Sequence, residues 1–213
     1  MNRNKLRKQL FTRTIQLVVY LLITLNFAYS QSVEYNTYLF DEQVYKASSE
    51  IKPDEFNNQL LEAIILDQLN AVLDQRDREP FTIKELMQKA AADQAEYMVQ
   101  VGDDVKEQNK KNKANTGLRL QFYGGSSVGD ELIAKSNIFK GKVPYSYFKV
   151  ADDVIFRWMA NTKTATLLES GNYQYIGIAA RIDNTRKKVF ISAILGNYKS
   201  FNEGAKERSK LTY

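Results

Sequence analysis

The residues with the most chemical promise lie between Gly124 and Lys135, in the run Gly124-Gly125-Ser126-Ser127-Val128-Gly129-Asp130-Glu131-Leu132-Ile133-Ala134-Lys135. Gly125-x-Ser127-x-Gly129 has the spacing of a nucleophile elbow, a sharp turn that lifts a serine hydroxyl above a sheet. That chemistry needs an imidazole to take the serine proton, and the chain contains no histidine. Ser127 with Lys135 is the remaining nucleophile and base, and nothing in the spacing favours it. Nor do the glycines form a phosphate loop, because Asp130 stands where a lysine would have to reach the phosphates. What remains is the adjacent carboxylates Asp130 and Glu131, which beside a glycine turn could project into a cleft and handle protons. Their commoner use is as solvated loop acids.

Composition narrows the chemistry further. Without cysteine there is no disulfide, thiolate nucleophile, thiolate-bound metal or acylated lipoprotein anchor. Without histidine there is no imidazole general base and no imidazole-ligated zinc. A hard cation held by oxygens needs a dense cluster of acids, which the sequence lacks. The expectation is therefore no metal and no cofactor. The net charge of +5 is misleading. Arg3, Lys5, Arg7, Lys8 and Arg13 account for it, and the other Lys and Arg equal the 25 Asp and Glu in number. A basic leader is not the concentrated basic surface that phosphate binding requires, so no nucleic-acid partner is expected.

The elements that must position these residues follow from pattern. Residues 1–30 read as a secretory signal: a basic start, an uncharged run from Thr14 to Ser30, and a small-x-small end at Ala28 and Ser30. Cleavage before Gln31 is expected; the alternative is an uncleaved anchor, which would be the chain's one membrane contact. Residues 31–52 form an N-terminal extension, 53–198 the domain, and 199–213 a polar tail.

Pro53 with Asp54 and Glu55 marks a helix start, and Phe56, Leu60, Leu61, Ile64, Ile65, Leu69, Val72 and Leu73 trace its apolar face. Asn70 interrupts that face and is expected to bond a neighbouring backbone. Thr82 to Glu85 reads as a capping box with Phe81 and Leu86 as staple. The helix it opens turns Leu86, Ala90, Ala91, Ala95, Met98 and Val101 inward and ends at Gly102. Residues 103–117 read as a solvated loop, and Leu118, Leu120 and Phe122 as a short strand. Ser146 caps a helix carrying Tyr147, Ala151, Val154, Ile155, Trp158 and Met159 inward. A crowded turn closed by Gly171 follows. Then come two alternating runs, with Ile176, Ile178, Ala180 and Ile182 answered by Val189, Ile191, Ala193 and Leu195 across a polar turn, which is a hairpin.

This order, over about residues 56–198, resembles the CAP superfamily, the SCP-like extracellular domain, in its bacterial form. Four places carry the likeness: the Leu61 to Asn70 helix with Pro80-Phe81; the Leu86, Ala90, Ala95, Met98 helix; Gly129-Asp130-Glu131-Leu132-Ile133-Ala134, similar to the family's Gly-Glu-Asn-Ile-Ala; and Trp158 leading to Leu167-Leu168 and then Tyr175-Ile176-Gly177-Ile178. The resemblance implies an α+β fold, a three-layer α-β-α sandwich with a small antiparallel sheet, with Trp158, Leu167, Leu168 and Gly177 as its structural signature. It also implies a central cavity that in the family gathers two histidines and acids. Here Lys163 or Thr164 stands in one histidine position and the other histidine is missing, so the cavity reduces to Asp130 or Glu131, depending on register, with Lys163 and Thr164.

The expected function is an exported, secreted or periplasmic, non-catalytic module that binds a protein, glycan or lipid of the envelope. The alternative is a hydrolase using Asp130 or Glu131. With carboxylates alone, such catalysis usually needs two converging acids.

Overall fold

A computed structural model of the protein describes residues 46 and 48–201, which fall in one compact unit. The expected signal or anchor at 1–30, most of the extension and the tail from 202 onward lie outside the described residues. The order is α1 (Asn58–Asp74), β1 (Thr82–Ile83), α2 (Glu85–Val101), α3 (Thr116–Phe122), β2 (Asp130–Asn137), β3 (Phe139–Lys140), β4 (Val143–Pro144), α4 (Tyr147–Ala160), α5 (Thr162–Glu169), β5 (Tyr175–Asp183) and β6 (Lys188–Gly196).

The hairpin is the centre of the sheet. Ile176, Ile178, Ala180 and Ile182 stand opposite Leu195, Ala193, Ile191 and Val189, so one parity of both strands forms a continuous apolar face. β2 pairs antiparallel with β6 and β1 pairs parallel with β5, giving the strand order β1-β5-β6-β2. The sheet is thus antiparallel except for a two-residue parallel edge. β3 and β4 form a separate small ribbon.

Helices cover both faces, as in a three-layer α-β-α sandwich. On one face α1 and α4 bury Leu61, Ile64, Ile65, Leu69, Val150, Val154 and Trp158 against the even-numbered positions of β2 and β5 and the odd-numbered positions of β6. On the other face α2 lays Met87, Ala90, Ala91, Ala95 and Met98 on Ala179, Phe190 and Ile194. The alanines let α2 approach closely. Gly177 completes the fit, since a Cβ there would overlap backbone atoms of Met87 and Gln88. Ile51, upstream of Pro53, is also buried in the first core, its N–H donating to Tyr145 O at 2.8 Å.

Several local expectations change. Pro53–Glu55 is a 3-10 turn, and α1 starts at Asn58, where Asn57 Oδ1 accepts from Leu60 N. The capping box does not form: Thr82 and Lys84 donate their N–H groups to Gln174 O and Ile176 O, so strand pairing takes residues that a local cap would have used. Val101 is exposed and Met87 takes its place inside. The Leu118, Leu120, Phe122 segment is the helix α3, capped by Asn115 Oδ1 accepting from Leu118 N at 3.0 Å. Three alternating apolar residues also satisfy one helical turn, and the cap decides between the two. The crowded turn after Trp158 is the helix α5, capped by Asn161 Oδ1 accepting from Thr164 N. Asn70 does bond a backbone, accepting from Phe81 N at 2.8 Å.

Candidate functional site

Asp130 and Glu131 open β2, where successive side chains point to opposite faces. Asp130 shares its side with Leu132 and Ala134, on the α1 and α4 face. Glu131 shares its side with Ile133, against α2 and α3. The two carboxylates therefore diverge across the sheet, so only one of Asp130 and Glu131 can share a cavity with Lys163 and Thr164.

Glu131 is enclosed. Its Oε1 accepts from Ser192 Oγ at 2.8 Å; its Oε2 accepts from Thr116 Oγ1 at 3.0 Å and pairs with the Arg119 guanidinium. Burial pushes its carboxyl above the usual range, against the opposing pull of Arg119 and the two hydroxyls. Arg119 in turn donates to Lys106 O and Lys113 O, both at 3.2 Å. Lys113 pairs with Asp93 at 2.8 Å, and Gln108 donates to Gln94 Oε1 at 2.9 Å. Residues 103–115 are therefore more than a solvated loop: they are tied to α2, α3 and β2 by buried polar contacts. Buried charges of this kind persist only when paired and hydrogen-bonded.

Asp130 is half-buried and receives the Tyr173 hydroxyl. Burial, then Asp130 itself, pushes Tyr173 up to about 12. Tyr173 lies between α5 and β5 and packs on the first core. Lys163 is exposed on the first turn of α5, Thr164 is half-buried beside it, and among the described residues no hydrogen bond or ion pair joins either to Asp130. Ser127 is exposed, and Lys135 is held by Asp103 and Asp104, so no serine–lysine pair forms.

The signature positions have structural work. Trp158 is buried and donates Nε1–H to Ile133 O at 3.1 Å. Leu168 is buried, Leu167 packs at the edge of the same core, and Gly177 admits the backbone of α2. Sequence reasoning missed Arg119, Thr116, Ser192 and Tyr173. Recognising β2 as a strand would have separated Asp130 from Glu131 by parity; nothing local points to Arg119 as the partner.

Among the described residues no group of three or more Asp or Glu is placed to hold a metal ion, and no helix is long and apolar enough to cross a membrane.

No family model and no curated protein matches the sequence. Solved structures do match. An outer surface protein of Borrelia burgdorferi is 11% identical with a TM-score of 0.52, the match covering 70% of this chain and 98% of that one. An extracellular protein containing an SCP domain, from Bacillus anthracis, is 14% identical with a TM-score of 0.54 over 75% of this chain and 51% of its own, so this chain spans about half its length. The CAP domain of enterococcal PrgA is 10% identical with a TM-score of 0.50, covering 78% of this chain and 73% of the domain. The chain has the fold of the bacterial CAP, or SCP, domains.

Proposed function

We propose that this CAP-fold chain is an exported, non-catalytic interaction module that engages a protein, glycan or lipid of the bacterial envelope or extracellular space. The observation that carries the reading is the divergence of Asp130 and Glu131. A carboxylate pair that handles protons must converge on one substrate, whereas Glu131 is enclosed by Arg119, Thr116 and Ser192 on one face and Asp130 is engaged by Tyr173 on the other. A chain without histidine or cysteine has no substitute of the usual kind. Export is supported by the uncharged run after the basic N-terminus and by the extracellular and outer-surface proteins that share the fold.

The test has two arms. The protein is purified from the exporting cell, its N-terminus determined by mass spectrometry, and its envelope partners captured by cross-linking. The same preparation is assayed on peptide, ester and glycan substrates beside Asp130→Asn. Specific partner capture without turnover is the expected outcome. Turnover that disappears in Asp130→Asn, with the variant still folded, would replace this reading with a carboxylate hydrolase.

A further inference from the structure

The sheet has two outer strands, and side chains cap backbone groups along both edges. On β5, the first two outward N–H groups beyond β1 belong to Ile178 and Ala180. Gln88 Oε1 accepts from the first and Glu62 Oε1 from the second, both at 2.9 Å, while Gln88 Nε2 donates to Ile178 O. Two side chains thus continue the edge where β1 stops.

The β2 edge uses donors instead. In an antiparallel pair the N–H and C=O of alternate residues point away from the partner strand. On β2 these are the odd positions, and each of their first three carbonyls has a side-chain donor. Lys106 Nζ meets Glu131 O at 2.7 Å, Trp158 Nε1 meets Ile133 O at 3.1 Å, and Arg157 Nη1 meets Lys135 O at 2.9 Å. The caps recur every second residue, roughly 7 Å apart along the strand. They come from two separate segments, the 103–115 region and α4. Lys106 and Arg157 are exposed, and Asp153 holds the Arg157 guanidinium in place at 2.8 Å. An incoming strand would need those same carbonyls for its own N–H groups, and the caps occupy that line.

An eight-residue edge strand otherwise presents a template for pairing with another chain. The copy of this chain at the same concentration is the one strand always present, and antiparallel pairing of two β2 edges is self-complementary about a two-fold axis. We infer that Lys106, Trp158 and Arg157 close the outer edge of β2 against strand addition by a second copy of this chain. This assigns these residues a role in keeping copies apart that is independent of what the module binds.

The experiment compares the full chain in mild detergent with Arg157→Ala, with Arg157→Ala combined with Trp158→Phe, and with both joined to Lys106→Ala. Phenylalanine keeps a ring in the core and removes the N–H donor. Mass is measured by light scattering across a hundredfold range of protein concentration, with circular dichroism confirming the fold. The expected result is concentration-dependent dimer that increases as caps are removed. Adding Lys135→Pro should return the mass to the wild-type value, because proline there removes an outward N–H without costing a bond to β6. Folded variants that keep the wild-type mass would overturn the inference, as would association that Lys135→Pro leaves intact. If the multiple variants fail to fold, the single Arg157→Ala, an exposed position, decides the question by the same criterion.

Discussion

Arg119 and Glu131 form an ion pair in which neither side chain reaches solvent, with 0% and 1% of their side-chain surfaces exposed. Removing one charge strands the other in a site that Thr116, Ser192 and two carbonyls have organised around both. Glu131→Gln is expected to cost roughly 3–5 kcal/mol, and replacing both residues with apolar side chains of similar volume to recover most of that loss. Urea denaturation of Glu131→Gln, of each apolar single replacement at Arg119 and Glu131, and of the double variant measures both quantities. Additive losses would show that the pair is not the unit of stability.

Tyr173 and Asp130 make a titration that can be watched. Tyrosine ordinarily ionises near 10, and Tyr173 is held to about 12 by burial and by Asp130. The folded state therefore keeps this phenol neutral after the unfolded chain has released its proton, so stability falls as pH rises from about 10 to about 12. Ultraviolet titration should lose one late-ionising tyrosine in Tyr173→Phe. In Asp130→Asn that tyrosine should titrate earlier but still late, because burial is the larger cause.

Glu62 at the β5 edge gives a linkage of the same sign at lower pH. Burial raises its carboxyl above 4.5, although Ala180 N, Arg181 and Gln88 all favour the charged form. The folded state binds this proton more tightly than the unfolded one. Stability from this group is thus fully present in acid and is lost as pH climbs through the interval between 4.5 and the raised value. Subtracting the pH–stability curve of Glu62→Gln from the wild-type curve should isolate a component that falls over that interval and is flat above it. A component that rises instead would mean that the hydrogen bonds outweigh burial.

Gly177→Ala tests the contact between α2 and the sheet. The added methyl meets the backbone of Met87 and Gln88 rather than a flexible side chain, so relief requires α2 to move. A loss of about 3 kcal/mol is expected, at the upper end of overpacking costs. Thermal denaturation measures it, and a neutral result would show that α2 slides freely on the sheet.

The sequence by itself determined the parts whose signal is local. The hairpin was legible because period two persists through Ile176 to Ile182 and Val189 to Leu195, and α4 because Ser146 and the stripe to Trp158 agree. The absence of histidine and cysteine removes whole classes of chemistry whatever the fold. The shorter or competing signals were not decisive. Thr82-Ile83 joined a strand because β5 lay alongside, and Leu118 to Phe122 became a helix because Asn115 capped it. Only the tertiary structure decided the candidate site. Two adjacent acids share composition and charge, but the pleat of β2 sends Asp130 to Tyr173 and Glu131 to Arg119. Those partners lie 43 and 12 residues away, and separations of that kind become contacts only when the layers close.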